Sequence, residues 1–527
     1  MISVVDLFAG PGGLGEGFSS FTIKDKPVFK IKVSIEKDEL AHRTLLLRAF
    51  FRQFPRGAAP REYYQYLSKI EKTDADLKQL FNAYPTEAAR AAREAVKAEL
   101  GQIEDEKKIN AVISRRIRVG GNWVLIGGPP CQAYSLAGRS RMSKIRKEDP
   151  ALFERDVKHT LYREYLKIIA EFQPAVFVME NVKGILSSTL EGKKIFNRIL
   201  EDLENPLSSV NTAGRENQGN LQYKLYPLVR KQGGFDFETN GFFEPNDFVV
   251  KAEDHGVPQA RHRVFILGVR TDIARIPDEL IPSSRRSVKS VISDLPRLRS
   301  RLSKEKDSDK KWNETICSVL SASWFGRNFN NIDEDFWLYL KDIVERISGS
   351  NLPAGCEFIC TCKTEPFNDA WFYDPFLGGV CNHSTRGHIT EDLHRYLYAS
   401  AFAEHYKRSP TLKDFPEELL PRHKNVGLAL QGGMFTDRFK VQLAERPATT
   451  VTSHISKDGH YFIHHDPTQC RSLTVREAAR LQTFPDNYFF EGPRTSQYQQ
   501  VGNAVPPLLA KQIAEIVLDL VRENPKV

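Results

Sequence analysis

The sequence predicts an α/β protein organised around a buried, mainly parallel β-sheet. Three short apolar runs carry this prediction: Ile2 to Leu7, Trp123 to Ile126 and Ala175 to Met179. Runs of this length are typical of strands buried on both faces, and glycine, proline or polar residues end each of them. Because ligands bind at the carboxyl ends of strands in open α/β sheets, the residues after each run are candidate site residues.

The first run leads into a glycine-rich loop. Glycines at positions 10, 12 and 15 satisfy a dinucleotide-binding fingerprint, in which glycine lets the backbone approach a ligand closely. A second predicted strand, Phe29 to Ile35, ends at Glu36, where an acid that accepts hydrogen bonds from ribose is expected. S-adenosylmethionine has no phosphate but uses a similar loop and acid. An oxidoreductase and a methyltransferase therefore both remain open at this point.

The other two runs present candidate catalytic side chains. Cys131 follows the second run and is either a nucleophile or a buried structural cysteine. Glu180 ends the third run, where an acid needs a partner or holds a proton. Farther on, strand alternation places Gln259, Arg261 and Arg263 on one face of an extended segment. Two arginines there can neutralise an acid and bind an anion or a carbonyl.

Composition sets broad limits on the class of protein. The 527 residues suffice for two or more domains, and the net charge of +8 permits a polyanionic partner. No apolar run reaches the roughly 18 residues that span a bilayer. Met1 leads directly into a strand, so we expect no signal peptide. Seven cysteines form no obvious disulfide framework, which indicates a reducing cytoplasm.

Taken together, these blocks resemble the DNA (cytosine carbon-5) methyltransferase family of bacterial restriction–modification systems. The matching segments are Asp-Leu-Phe-Ala-Gly-Pro-Gly-Gly at 6–13, Gly-Pro-Pro-Cys-Gln at 128–132, Glu-Asn-Val at 180–182, Gln-x-Arg-x-Arg at 259–263, a ninth-motif block at 476–486 and a tenth-motif block at 500–507. They stand in the family's order. Hydride transfer needs neither the cysteine block nor the paired arginines, so the oxidoreductase alternative loses its support.

The resemblance implies a doubly wound, mainly parallel sheet that binds S-adenosylmethionine, with a smaller target-recognition domain. Double-stranded DNA would lie between the two. We expect a catalytic domain at 1–272 with a helical insertion at about 52–119, a recognition domain at 273–494 that includes the ninth-motif segment, and a C-terminal segment at 495–527 that returns to the catalytic domain. We also expect a bacterial, cytoplasmic, nucleoid-associated monomer, and a cognate restriction endonuclease that acts on the same DNA site.

The resemblance also assigns residue roles. Cys131 would add to carbon 6 of cytosine, Glu180 would hydrogen-bond or protonate ring nitrogen 3, and Arg263 would stabilise the ring carbonyl and orient Glu180. Arg261 would act on a nearby phosphate or on the cysteine loop. The predicted cofactor contacts are Phe8, Ala9, Gly10, Gly12, Gly13, Leu14, Glu36, Pro130, Leu161, Asn503 and Ala504. The family's acidic third block cannot be located, because the insertion occupies its place.

The predicted DNA contacts are Gln132, Ser135, Arg139, Arg141 and Gln259. A duplex hides the reacting atoms, so the base must be extruded, and the basic loop from Arg139 to Lys147 would close over it. A transfer-RNA methyltransferase of the same fold is the second candidate; the large variable region favours DNA, whose sequence it would read. A catalytically silent DNA-binding homologue is the third, although it would not need the nucleophile, acid and arginines together.

Two further segments carry expectations without an assigned reaction. The alanine-rich stretch from Glu87 to Leu100 predicts an exposed helix within the insertion. In the variable region, Cys360, Cys362, Cys381 and His383 form two pairs that would suit tetrahedral zinc. Their C-x-C and C-x-H spacings are tighter than those of the usual zinc fingers, so the absence of a metal is the preferred prediction.

Overall fold

The computed structural model describes residues 1–130, 157–190, 193–210, 222–229, 243–327, 332–361, 371–421 and 437–522. Its central sheet consists of β1 (Ile2–Leu7), β2 (Phe29–Glu36), β3 (Ala95–Lys97), β4 (Trp123–Gly127), β5 (Val176–Val182), β6 (Tyr223–Tyr226), β7 (Val249–Lys251) and β8 (His262–Arg270). The strand order is β6-β8-β5-β4-β1-β2-β3, with β7 also paired to β8. Strands β1 to β5 run parallel, and β8 is antiparallel to its neighbours.

Helices surround the sheet and extend into the rest of the chain. The α-helices span Gly13–Ser20, Glu39–Phe51, Arg61–Ser68, Asp74–Ala83, Pro85–Glu94, Ile103–Ser114, Val157–Phe172, Ile195–Glu204, Pro206–Ser209, Lys289–Ile292, Asp309–Cys317, Glu334–Ser348, Thr390–Tyr406, Val475–Leu481, Arg494–Asn503 and Pro507–Val521. Short two-stranded pairs join Thr22–Ile23 to Lys26–Pro27, Thr189–Leu190 to Lys193–Lys194, Gln259–Ala260 to Ala448–Thr449, Arg301–Leu302 to Gly387–His388, and Gly355–Cys360 to Gly379–Ser384.

Both faces of the central sheet are buried. Val5 and Val33 point to a core that includes the helices Ile103–Ser114 and Val157–Phe172. Val4 and Ile31 point to the opposite core, which the helices Gly13–Ser20 and Pro507–Val521 cover. The last helix of the described chain thus lies on the first helix. This two-sided cover confirms the predicted doubly wound, mainly parallel α/β fold. None of the helices described is long and apolar enough to cross a membrane.

The insertion is not helical throughout, which corrects one prediction. The helix expected over Glu87 to Leu100 ends at Glu94, and Ala95–Lys97 forms β3, the edge strand beside β2. Ala95 and Val96 are buried there. Pairing with β2 satisfies the backbone of these residues and buries their side chains, and this tertiary contact outweighs the helix propensity of the sequence.

The region between the Gln-x-Arg-x-Arg block at 259–263 and the ninth-motif block at 476–486 has a core of its own. Aromatic and aliphatic residues of the helices Asp309–Cys317, Glu334–Ser348 and Thr390–Tyr406 pack together, with Trp312, Phe336 and Tyr398 fully buried. A further cluster joins the insertion to this region through Leu377, Cys381 and Phe489. The predicted domain boundaries remain predictions, but contacts of the second cluster hold part of the recognition region against the insertion and the helix Glu39–Phe51.

Candidate active site

The glycine-rich loop turns sharply at the carboxyl end of β1. Phe8, Gly10 and Gly12 have left-handed backbone conformations, with φ of 56°, 57° and 98°. The Ala9 amide donates to the carbonyl of Ile35 on β2 (3.0 Å), and the Gly12 amide closes the turn onto Ala9 (2.9 Å). Leu14 lies in the core beneath the loop. The loop therefore exposes backbone at the point where β1, flanked by β2 and β4, marks the reversal of strand order.

Glu36 lies beside this loop at the end of β2. Its carboxylate accepts hydrogen bonds from the backbone amides of Gly10 (2.7 Å), Lys37 (2.9 Å) and Asp38 (2.7 Å). Burial nevertheless raises the pKa of Glu36, and the three amide donors oppose that rise. The carboxylate is thus fixed in place, with lone pairs left over for hydroxyl donors.

The C-terminal segment forms the opposite wall of the loop. A Cβ atom built on Gly13 would lie 2.2 Å from the carbonyl oxygen of Val505, so only glycine fits this approach. Asn503 ends the helix Arg494–Asn503 with an exposed side chain, and Ala504 is buried next to it. Tyr488 donates a hydrogen bond to the Pro11 carbonyl. Residues far apart in the chain therefore meet beside the glycine loop, and the contact of Asn503 with a cofactor stays a prediction.

Asp6 lies beneath the glycine loop and was not identified from the sequence. It is fully buried, and within the described chain neither carboxylate oxygen has a hydrogen-bond partner. Burial raises the pKa of Asp6 to about 8, although Arg52 opposes the rise. The Asp6 side chain is therefore mainly neutral near pH 7. The sequence signal that could have pointed to Asp6 is an acidic residue within an otherwise mainly apolar predicted strand.

Glu180 and Arg263 meet at the carboxyl end of β5. Arg263 Nε lies 3.1 Å from Glu180 Oε1, and both side chains are mostly but not completely buried. A Cβ atom on Gly128 would lie 3.0 Å from Glu180 Oε2, so the Gly-Pro-Pro loop passes directly over the carboxylate. Asn181 donates to the carbonyl of Pro129 (3.3 Å) and holds that loop in place. Pro130 is the last described residue of the loop, and Cys131, Gln132, Ser135, Arg139 and Arg141 lie outside the described residues.

Arg261 and Gln259 do not share a face with Arg263. The guanidinium of Arg261 is buried and donates to the carbonyls of Val451 (2.8 Å), Ala504 (2.9 Å) and Gly502 (3.4 Å). Gln259 is completely buried. Its side-chain amide donates hydrogen bonds to the Leu481 carbonyl and to Gln482 Oε1, and accepts one from the Val451 amide. The predicted contact between Gln259 and DNA is therefore wrong for this conformation. Arg261 instead joins the approach to β8 to the C-terminal segment, and Gln259 joins it to the ninth-motif block and to Val451.

An acidic residue to which no sequence motif pointed, Glu99, lies just after the end of β3. Glu99 follows this strand by two residues, and its carboxylate lies 2.8 Å from Nζ of Lys37, the residue after Glu36. Leu161, a predicted cofactor residue, lies 3.4 Å from the position of a Cβ on Gly101. Glu99 and Leu161 thus adjoin the edge on which Glu36 stands. The mistaken helix prediction over 87–100 concealed the strand that leads to Glu99.

The zinc alternative for Cys360, Cys362, Cys381 and His383 finds no support in the described chain. Cys356 opposes His383 across an antiparallel pair, but both His383 nitrogens are engaged, with Thr474 Oγ1 and the Pro296 carbonyl, each at 2.8 Å. Cys381 is fully buried in an apolar cluster. Among the described residues, no three His, Cys, Asp or Glu side chains could hold a metal ion; Cys362 lies outside them.

The sheet order, the glycine loop and the fixed acid at the end of β2 define an α/β protein whose candidate site lies at the topological switch point of its sheet. Comparison with known proteins narrows this class. A model of the family "C-5 cytosine-specific DNA methylase" matches residues 91–207 and 236–518. The chain belongs to this family of DNA (cytosine-5-)-methyltransferases, which confirms the predicted resemblance and enzyme class.

Relatives of known name cover three quarters of the chain or more. The type II methyltransferase M.Bpa9945I of Bacillus paralicheniformis is 32% identical over 98% of this chain and 99% of its own length. The DNA (cytosine-5-)-methyltransferase M.ApeKI of Aeropyrum pernix is 24% identical over 75% of this chain and 81% of its own length. A candidate DNA modification methyltransferase from an E. coli prophage has a similar fold, with a TM-score of 0.52 and 17% identity over 99% of this chain and 100% of that one.

Proposed function

We propose that this enzyme methylates carbon 5 of a cytosine at a specific site in double-stranded DNA, through a transient covalent bond to Cys131. The observation that carries this proposal is the Glu180–Arg263 pair beneath the loop that leads to Cys131. A structural cysteine needs no acid–arginine pair beside it. We further propose that the enzyme is the modification partner of a restriction endonuclease, because its relatives include several named type II methyltransferases.

S-adenosylmethionine fits the residues of the proposed cofactor site. Glu36 would accept hydrogen bonds from ribose hydroxyls, and the left-handed Phe8–Gly12 loop leaves room for the methionine part to approach the backbone. Asn503 and Pro130 would close the site on two sides. Glu99, with Leu161 beside it, is the proposed contact for the adenine amino group. When bound, this cofactor supplies an electrophilic methyl group on a sulfonium.

The proposed reaction divides one difficult step into two. The Cys131 thiolate forms a bond to carbon 6, and the electrons of the 5,6 double bond move to carbon 5. Glu180 stabilises this change by hydrogen bonding or proton transfer at nitrogen 3, while Arg263 holds the Glu180 carboxyl and faces the ring carbonyl. Carbon 5 then takes the methyl group. Loss of its proton to a base or to water restores the double bond and expels the thiolate.

Glu180 is accessible only to a base outside the double helix. Its side chain is 13% exposed and lies under the Gly128 loop, so a stacked cytosine could not reach it. The proposal therefore requires extrusion of the target nucleotide, with Gln132, Ser135, Arg139 and Arg141 as the proposed contacts around it. The separate core of the recognition region favours a duplex substrate over transfer RNA, because reading duplex sequence needs a large surface.

Duplex DNA with 5-fluorocytosine at the target position tests the covalent step. Fluorine replaces the proton that must leave carbon 5, so we expect a protein–DNA adduct that survives denaturation when S-adenosylmethionine is present. Methylation mapping in a methylation-free host identifies the target beforehand. Cys131→Ala should abolish the adduct and methyl transfer while calorimetry still detects cofactor binding. Adduct formation by Cys131→Ala, or substantial turnover, would contradict Cys131 as the nucleophile.

A further inference from the structure

A cavity of about 710 Å³ lies at the end of the sheet opposite the Glu36–Glu180 edge. Its lining includes Met1 and Phe29, where β1 and β2 begin, and Ser20, where the first helix ends. The proposed cofactor residues lie instead at the carboxyl ends of these strands. The volume falls within the range of about 300 to 1,000 Å³ that is usual for small-molecule sites. The proposed methyl transfer makes no use of this cavity.

The walls of the cavity come from distant parts of the chain and are fixed by hydrogen bonds. Trp371 Nε1 donates to the Thr483 carbonyl at 2.7 Å. Asp374 accepts from the Tyr64 hydroxyl at 2.8 Å and from Asn487 Nδ2 at 2.6 Å. The wall segment Trp371 to Phe376 is thus attached both to the insertion and to the ninth-motif block, so the cavity is a built feature of the fold.

Aromatic side chains form much of the apolar lining. Phe51 and Phe54 are half-buried at the end of the second helix and the start of the insertion. Trp371 is half-buried opposite them, while Tyr373 and Phe376 are 38% and 58% exposed. Exposed aromatic rings around a concave surface indicate a binding site more often than chance, because such rings offer stacking faces for a planar ligand.

The charges around the cavity are unbalanced. Two buried arginines, Arg48 and Arg52, are neutralised by Glu16 and Glu94. The remaining cations of the lining are Lys30, Arg56, Arg90 and Lys511, whereas the remaining acids are Asp25 and Asp374. In the part of the chain that the structure describes, none of these four cations has a carboxylate within 4.0 Å.

Arg56 and Lys511 mark the most favourable place for an anion. Lys511 Nζ lies 5.3 Å from the centre of the Trp371 ring, so a cation and a stacking face adjoin. Arg56 repels the Lys511 ammonium and, after the larger effect of burial, lowers the pKa of Lys511. Glu515, one turn farther along the last helix, offsets part of the charge of Lys511, but two cations held near each other with no carboxylate in direct contact still attract an anionic group.

We propose that this cavity binds a small planar aromatic molecule that carries a phosphate group, in the size class of a nucleoside monophosphate. The ring stacks against Trp371 and Tyr373, and the phosphate lies between Arg56 and Lys511. This site is separate from the proposed cofactor site, and binding there links the wall segment Trp371 to Phe376 to the insertion and to the last helix.

Adenosine 5′-monophosphate serves as the probe, with the full chain saturated beforehand by S-adenosylhomocysteine so that the cofactor site is filled. Titration calorimetry should detect one molecule bound per chain without displacement of S-adenosylhomocysteine. Uncharged adenosine should bind at least about tenfold more weakly, because it lacks the charge-assisted hydrogen bonds. Arg56→Gln and Lys511→Gln should each weaken binding at least about fivefold and leave methyl transfer unchanged.

Lys341→Gln is the matched control, because Lys341 is an exposed cation on the helix Glu334–Ser348, away from the cavity lining. It should bind the probe like the wild type. Absence of binding to the saturated chain would overturn the proposal, as would displacement of S-adenosylhomocysteine or equal affinity for the nucleotide and adenosine. If Lys511→Gln failed to fold, the exposed Arg56→Gln would decide alone.

Discussion

Arg261 and Arg263 are separated by one residue, yet their guanidinium groups have different partners. Arg263 pairs with Glu180, whereas Arg261 binds the carbonyls of Val451 and Ala504. The cause is local: the Arg261 amide donates to the Gln259 carbonyl at 2.8 Å, which interrupts the extended chain before β8. The predicted alternation assumed an uninterrupted strand, so a shared face for the two arginines was wrong.

This difference predicts opposite effects of substitution. Arg263→Ala removes the partner of Glu180 at a partly open site, so we expect methyl transfer to fall about 100-fold or more with little loss of stability. Arg261→Ala removes the buried side-chain donor of the Val451 carbonyl and the shorter of two donors to the Ala504 carbonyl, which keeps only Gln482 at 3.3 Å. We expect its free energy of unfolding to fall by about 2–5 kcal/mol.

Single-turnover methyl transfer and urea unfolding, measured on both variants, separate the two roles. Arg261→Lys provides a conservative comparison, because one ammonium can replace part of the donor set but not all of it. If Arg261→Ala were stable yet inactive, Arg261 would act at the reacting base and our assignment of a structural role to it would be incorrect.

Among the helices and strands, those that depend on local sequence signals can be predicted from the sequence. Aspartate is a favoured residue at the start of a helix, and Asp38 caps the helix Glu39–Phe51 by accepting from the Ala41 amide at 2.8 Å. By contrast, β3 depends on pairing with β2. Its sequence, Ala-Val-Lys, follows an alanine-rich helix without a helix-breaking residue, so no local signal predicted a strand there.

The position of Glu99 after β3 leads to a prediction about the cofactor. Glu99→Gln should raise the dissociation constant for S-adenosylmethionine about tenfold, because the amide offers one weaker acceptor to the adenine amino group. The Michaelis constant for DNA and the melting temperature should change little, since Glu99 is partly exposed.

Glu104→Gln is the control for this measurement, as Glu104 is an exposed acid a few residues farther along the chain. Calorimetric titration of both variants with S-adenosylmethionine provides the comparison. An unchanged affinity in Glu99→Gln, or an equal loss in both variants, would refute the assignment of Glu99.

For the whole molecule, the ordered motifs predicted which strand ends meet, but not how the outer regions attach. Three tyrosines of the insertion, Tyr63, Tyr64 and Tyr66, bond Asn487, Asp374 and Glu491. Each partner is more than 300 residues away along the chain, and nothing in the sequence around a tyrosine shows which distant residue it will contact. Such contacts follow from the packed arrangement of regions, which local patterns do not specify.

The packed recognition region should also make the protein sensitive to acid. Burial lowers the pKa of His383 to about 4 and also depresses those of His388 and His464. A histidine that stays neutral when folded stabilises the protein fully above its ordinary pKa of about 6.5, and this stability is lost as the pH falls toward 4. For His383 alone the loss is about 2 kcal/mol at pH 5.

Melting temperatures of the wild type and His383→Gln between pH 8 and pH 5 test this prediction. The variant loses hydrogen bonds to Thr474 or Pro296 and should be less stable at pH 8. The difference in melting temperature between the two proteins should narrow as the pH falls, since only the wild type has His383, which gains a proton on unfolding. A gap that stayed constant or widened would show that His383 is not the responsible group.

The contact between the first and last helices has a consequence for synthesis. The Gly13 loop is completed by Val505, and Gly17 approaches Ala510 so closely that a Cβ would lie 2.4 Å from its side chain. During translation the amino-terminal strands emerge first, but one wall of their proposed cofactor site, around Val505, emerges much later. A nascent chain thus cannot assemble that pocket until these residues have left the ribosome, and a product that stops before residue 505 leaves the apolar face of its first helix uncovered for quality-control proteases.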